Sequence, residues 1–395
     1  MLKTYKYRLY PSNSQITKLE NTFSICKALY NNALEHRIEE FERTGRTVNY
    51  YEQSAGLPEI KSLFPWYKSV NAVVLQNVLK RVDTAYQNFF RRVKDPKVKV
   101  TENGFPKFKK RGQWNSITYA DKNKIHSPLN GMLNIPSIGE IKIIYHRNIP
   151  VDSIIKTMSI VKESNNWYVT FSVELNSSYP ELNVSIDKAI GIDVGLIDFY
   201  YDSNGNSKTA PRLLRLAEKQ IKRLHRKLAK TKKWSKEFYK VLKALQTAYS
   251  KVKYKRLDFL YKTAYDLFSD NDLVIREDLQ LKNLMKRAKP KLSEDGKTFL
   301  PNNASAKSGL NKSFGDASFG KFFDVLDQVA NKLGKLVVKV NPAYTSQDCS
   351  DCGNRIKKSL STRTHQCNEC GLVLNRDHNA SINILRLGLQ SLGIS

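Results

Sequence analysis

A chain of 395 residues is long enough for about two to four domains with separate cores, and its 66 lysines and arginines against 37 acidic residues leave a formal charge of +29. That excess is more than solubility needs and predicts a polyanionic partner. No apolar run approaches the ~20 residues of a membrane span and no N-terminal signal is present, so nucleic acid is favoured over an anionic membrane and a cytoplasmic, prokaryotic protein is expected.

In chain order, LKTYKYRLY at residues 2–10 alternates polar and apolar side chains and reads as a strand stopped by Pro11. Ser12 and Gln15 form a capping-box signature for a helix carrying Ile16, Leu19, Phe23, Cys26 and Tyr30 on one face. A looser stretch with Gly56, Pro58, Phe64, Pro65 and Trp66 leads to a second helix over about 71–93, with Leu75, Val78, Val82, Ala85 and Phe89 at heptad spacing. Residues 11–100 read as a helical insertion.

GFPKFKKRGQWNSITY, residues 104–119, interleaves Phe105, Phe108, Trp114 and Tyr119 with Lys107, Lys109, Lys110 and Arg111. Cations for phosphates beside rings that stack on bases are what structured or single-stranded nucleic acid requires; a basic loop with anchoring aromatics is the plainer alternative. Strand patterns follow at 141–145, 156–162 and 167–175, where a β-barrel completed by the N-terminal strand is expected, and a polar linker covers 176–187.

AIGIDVGLIDF, from residue 189, is a nearly continuous apolar run, as in a central strand buried on both faces, yet it contains Asp193. An unpaired carboxylate there costs several kcal/mol, which a divalent cation would offset; an aspartate at a strand end, hydrogen-bonded to a turn, is the plainer alternative. Gly191 and Gly195 flank it, leaving room for close approach of a metal or phosphate. From 211 to 268 the heptad sets Leu214, Ala217, Ile221, Leu224, Leu228 and then Phe238, Leu242, Leu245, Tyr249, Val252 predict two antiparallel helices. Their outward faces carry a long run of cations, Lys222, Arg223, Arg226 and Lys230 among them; a solvated face is the plainer alternative, but few acids interrupt the run and it reads as a phosphate-backbone track. DLVIREDL at 272–279 repeats the earlier logic, a short apolar strand ending in Glu277, and 285–312 reads as a mobile loop. A helix at 320–333 and a strand at 335–340 follow.

Cys349, Cys352, Cys367 and Cys370 form two C-x-x-C knuckles with fourteen residues between them, each followed by glycine, Gly353 and Gly371. This is the layout of a four-thiolate zinc ribbon; two disulfides are the alternative, disfavoured without a secretory signal. His365 reads as a surface histidine and Cys26 as core. Asp377 then opens an apolar-periodic helix, where a plain cap is the bland reading. Three carboxylates, Asp193, Glu277 and Asp377, suit two magnesium ions and phosphodiester hydrolysis, provided the fold brings them together.

GIDVGLIDF, REDLQLKN, the paired knuckles and NRDHNASINIL, in that order, resemble the split RuvC domain and zinc ribbon of the transposon-encoded TnpB (OrfB) family. KTYKYRLYPSNSQ, LQNVLKRVDTAYQNFF and GFPKFKKR extend the resemblance over nearly the whole chain. It implies an RNA-guided endonuclease related to type V CRISPR effectors. Its guide RNA would come from the transposon end, and it would cut double-stranded DNA beside a short transposon-adjacent motif. It implies Asp193, Glu277 and Asp377 as the magnesium-binding catalytic triad of an α/β, RNase H-like RuvC fold, with structural zinc on the four cysteines. It implies a wedge-like β-barrel at 1–10 and 101–184, a helical recognition domain at 11–100, a nuclease domain at 185–341 and 375–395, and a zinc ribbon at 342–374. One departure is Asn375, where the motif often reads D-R-D. A cleavage-free RNA-guided repressor and a zinc-ribbon transposon accessory are the competing readings.

Overall fold

The computed structural model describes residues 1–96, 98–99, 101, 103–121, 125, 127–176, 180–359 and 362–394. The chain divides into two compact units, Met1–Ser178 and Tyr179–Ser395.

In the first unit, β1 (Leu2–Tyr10) buries Tyr5, Tyr7 and Leu9 and turns Lys6 and Arg8 the other way, as its alternation predicts. The Ser12/Gln15 capping box is formed at the start of α1 (Asn13–Thr44). The looser stretch folds into α2 (Tyr50–Ala55), α3 (Leu57–Leu63) and a 3₁₀ turn, Pro65–Ser69. Asn71 caps α4 (Ala72–Lys94), which packs Val74, Leu75, Val78, Leu79 and Val82 into the same core as the buried face of α1, Cys26 included.

Five further strands follow: β2 (Ser116–Tyr119), β3 (Met132–Ile135), β4 (Gly139–Ile144), β5 (Ile154–Glu163) and β6 (Asn166–Glu174). They form with β1 an antiparallel sheet in the order β2-β5-β6-β1-β4-β3, so the N-terminal strand is internal. Among the described residues the end strands β2 and β3 do not pair with each other, so a half-barrel stands where a closed barrel was expected. Both end strands have only four residues, which leaves few ladder positions to close a seam. Residues 177–179 of the expected linker lie outside the described residues.

The second unit is built on a mixed sheet. β7 (Ala189–Val194), β8 (Asp198–Asp202) and β9 (Ser207–Thr209) form a meander. α5 (Leu213–Lys230) and α6 (Lys236–Asp270) are the predicted helical pair. The buried seam of α6 is Val241, Leu245, Ala248 and Val252, and Tyr249, expected inside, is exposed and reaches His225 instead. β10 (Leu273–Glu277) returns parallel to β7, followed by α7 (Leu281–Leu284).

The expected mobile loop instead holds a hairpin, β11 (Lys291–Leu292) with β12 (Phe299–Leu300), and α8 (Ala304–Ala317). Tertiary contacts override the weak helix propensity of its serines and glycines. Buried Asp316 accepts the free amides of Leu214 and Arg215 at the start of α5 (2.8 and 3.1 Å) and pairs with Arg256 (3.1 Å). α9 (Phe319–Leu333) leads to β13 (Leu336–Val340), parallel to β10. β14 (Thr364–Gln366) and β15 (Val373–Asn375) pair, and α10 (Arg376–Ser391) follows.

The sheet order is β13-β10-β7-β8-β9. One face, with Ile190, Ile192 and Val274, packs on Leu260, Phe268, Phe322 and Leu326 of α6 and α9. The opposite face, with Leu273 and Ile275, packs on Ile384 of α10. Leu273, Val274 and Ile275 have no exposed surface; burying each such side chain stabilises by about 1.5–3 kcal/mol.

Candidate metal centres and nucleic-acid surfaces

The period of two along β7 and β10 decides where the carboxylates go. Ile190 and Ile192 face α6 and α9, so Gly191 and Asp193 face α10; Leu273 and Ile275 face α10, so Glu277 does too. The parallel register sets Ile192 opposite Arg276, which brings Asp193 and Glu277 to the carboxyl ends of adjacent strands. Such ends are where open α/β sheets present ligand sites. Arg276, on the other face, lies buried over the Phe323 ring (3.9 Å).

Asp377 reaches the same place from α10. Asn375 caps the helix, its Oδ1 accepting the amides of Asp377 (2.8 Å) and His378 (3.4 Å), so the carboxylate sits in the first turn. The helix lies directly on the two strands. A Cβ on Gly191 would stand 2.3 Å from the Ser381 carbonyl oxygen and 2.6 Å from the Leu385 nitrogen, and one on Gly388 would meet Ile275 at 2.4 Å. The glycine expected to admit a ligand therefore admits the α10 backbone, and the space beside Gly195 is filled by the Asp198 carbonyl.

Burial pushes the Asp193 carboxyl well above the usual carboxylate range, and the charges of Glu277 and Asp377 push it further, against Arg376 and the Val194 amide. Burial also raises Glu277, while the Thr345 hydroxyl, donating to Oε1 at 2.5 Å, pulls it down. The three carboxylates thus share one field. They are not drawn into a tight cluster: among the described residues only the four cysteines bring three or more ligand atoms all within 4.8 Å of one another. Hard oxygen donors that repel one another suit magnesium, and two-metal sites span about 3.5–4 Å between ions, so their ligands need not crowd together. Neither periodicity nor motif spacing marks Arg363, whose Nη1 stands 3.8 Å from Asp377 Oδ2, or Thr345.

The thiolates assemble from two matching turns. In each, the amide of the first cysteine donates to the carbonyl five residues on, and the glycine amide donates back to the first cysteine's carbonyl. Gly353 and Gly371 both have φ 76°, a conformation other residues adopt only with strain. The amides of Cys370 and Glu369 draw the Cys367 thiol down to about 7, opposed by burial. Cys349 and Cys370 Sγ lie 3.6 Å apart and Cys352 and Cys367 Sγ 3.5 Å. A tetrahedron with Zn–S near 2.3 Å has edges of about 3.8 Å, so the cage fits zinc. His365 is not on the surface as expected. It is fully buried, because the β14 alternation turns it inward against Lys358, and it is not among the clustered ligands.

The basic loop divides. Lys107, Phe108, Lys110 and Arg111 are exposed, and Phe105 is half-exposed with its ring edge-on to Tyr86 (5.6 Å) and Phe89 (5.2 Å). Lys109 lies over the Tyr30 ring, its backbone held at both ends by Asn31. Trp114 and Tyr119 are core residues and offer no stacking surface. In the second unit Lys222, Arg223, Arg226 and Lys230 are all exposed along α5, with Lys222 paired to Glu218 (2.9 Å). No helix among the described residues is long and apolar enough to cross a membrane.

Sequence comparison finds three family matches: "Cas12f1-like, TNB domain" over 319–384, "Helix-turn-helix domain" over 1–46 and "Probable transposase" over 170–288. Residues 1–46 form β1 and the single helix α1, not the helix pair of the second description. The chain is 29% identical over 393 residues to "Putative RNA-guided DNA endonuclease InsQ" of Escherichia coli (strain K12), covering 98% of this chain and 92% of that protein. It is 26% identical to "Putative RNA-guided DNA endonuclease" of Streptomyces pristinaespiralis, covering 98% and 89%. Its fold is that of the protein in "Cryo-EM structure of the Cas12f1-sgRNA-target DNA complex", at TM-score 0.53 and 14% identity over 98% of both chains.

Proposed function

The chain belongs to the TnpB (OrfB) family, and from that premise we propose that it is an RNA-guided endonuclease that cuts double-stranded DNA beside a short transposon-adjacent motif. One observation carries the reading. Asp193 and Glu277 end adjacent parallel strands on the face that α10 covers, and Asp377 stands in the first turn of α10. Relatives over nearly the full length are named as RNA-guided endonucleases, which supports it.

In this reading the mixed sheet and α10 are the RuvC-like nuclease domain, residues 342–374 the zinc ribbon, α1 to α4 the recognition domain and the half-barrel its wedge. Two magnesium ions, when bound, activate a water and stabilise the leaving oxygen. The protein's part is to hold three carboxylates that repel one another until cations arrive. Asp193, Glu277 and Asp377 would hold the ions, and Asp193 is the carboxylate that feels the charge of both others. Arg363, beside Asp377, is placed to offer its guanidinium to a phosphate oxygen of the bound strand. The exposed cations of the 105–111 loop and of α5 supply backbone contacts to guide RNA and target DNA, without sequence specificity of their own.

The test uses protein copurified with RNA from its own locus and a plasmid library carrying one guide-matched target beside randomised bases. Guide- and magnesium-dependent breaks that vanish in Asp193→Ala, with target binding retained, are expected. Binding without breaks in the wild type would replace the nuclease with an RNA-guided repressor.

A further inference from the structure

We propose that Thr345 is a positioning residue that orients Glu277 from the strap leading into the first zinc knuckle. The proposal rests on the nuclease reading above. Thr345 is 4% exposed, and its Oγ1–H donates to Glu277 Oε1 at 2.5 Å, the length expected of a hydroxyl meeting a carboxylate. The ladder to β13 fixes the backbone of Glu277 but not its side-chain torsions. The Thr345 hydroxyl removes that freedom by engaging one oxygen and leaving Oε2 to a cation, the service outer-shell partners give to metal-binding carboxylates. The same hydroxyl also reaches the Pro342 carbonyl, at a longer 3.3 Å.

The strap that carries Thr345 is itself fastened. Asn383 of α10, 2% exposed, donates to the carbonyls of Thr345 (2.9 Å) and Asp348 (2.7 Å). Asn379, one turn earlier and fully buried, donates to the Asp348 carbonyl (2.8 Å) and accepts the Ser350 amide (3.0 Å). Asparagine is a poor helix former and costs free energy to bury unless its amide is paired. Two of them one turn apart inside α10 have their use in gripping this strap. Residues 345–350 therefore touch Glu277 at one end, hold the Cys349 thiolate near the other, and are pinned between to the helix that bears Asp377. Glu277 is aimed by a segment whose far end the thiolate cage holds.

Manganese binding to the protein and its RNA without target DNA, followed by electron paramagnetic resonance, reads the carboxylate centre apart from cleavage. Thr345→Val is expected to weaken manganese binding by about tenfold or more, while Thr345→Ser binds like wild type and both variants keep wild-type zinc content and melting temperature. Thr345→Val binding manganese like wild type would overturn the proposal. So would Thr345→Ser failing as badly as Thr345→Val, which would assign the effect to the methyl group, or Thr345→Val losing zinc, which would make the residue structural. Wild-type protein showing no manganese site sensitive to Asp193→Ala would overturn the nuclease reading, and this proposal with it.

Discussion

The thiolate cage and the carboxylate centre lie in one unit and are built on opposite plans. The cysteines come from two short turns 14 residues apart, each closed by its own hydrogen bonds, and their sulfurs already stand at tetrahedral separations. The carboxylates come from two strands and a helix separated by most of the unit, and they are held apart in mutual repulsion. A closed site can be assembled locally because it has only to bind. An open one keeps its donors underemployed and depends on the global fold for their placement.

The strongest way to break this contrast is to remove zinc. Structural zinc contributes on the order of 10 kcal/mol of apparent binding free energy in small modules. Cys349→Ser is expected to lose zinc and lower the melting temperature of the second unit; a stable variant with full zinc content would deny the cage its structural role. A smaller effect separates the two sites. Gly191→Ala places a methyl group against the α10 backbone, an overpacking of about 1–3 kcal/mol or more. It is expected to abolish manganese binding while zinc content stays at the wild-type level, and loss of both metals together would mean the sites do not assemble separately.

The smallest effect is a pH dependence. Because Asp193 binds its proton more tightly folded than unfolded, the stability it contributes is fully present below the ordinary carboxylate range and is lost as pH rises through its folded pKa. Metal-free Asp193→Asn should therefore melt above wild type at neutral and higher pH, by about 2–4 °C per kcal/mol of relieved repulsion. The gap should close in acid and shrink when manganese is added to wild type. A gap that widens in acid would mean that Asp193 is stabilised as the anion by partners other than metal.

What could be read in advance follows the same division. Knuckle spacing is local, so the cage was legible residue by residue. The apolar strands around Asp193 and Glu277 were legible too, but their parallel pairing across two further strands and two long helices was not, since periodicity says nothing about partners. Gly191 was read as room for a ligand because a sequence does not show which backbone fills the space. The inward turn of His365 escaped because a three-residue strand is too short for its alternation to register. Asn379 and Asn383 did leave a trace, two polar residues at helical spacing on the apolar stripe of α10.

The uncharged cap of α10 shows how the helix start keeps its hydrogen bonds where the motif often carries aspartate. Asparagine and aspartate are interchangeable as helix caps, and Asn375 uses only its carbonyl oxygen for both amides it accepts. The position is therefore free to drift between the two residues under selection for folding alone. What the choice changes is local charge: an aspartate would add a fourth negative group two residues from Asp377, and asparagine leaves that corner neutral.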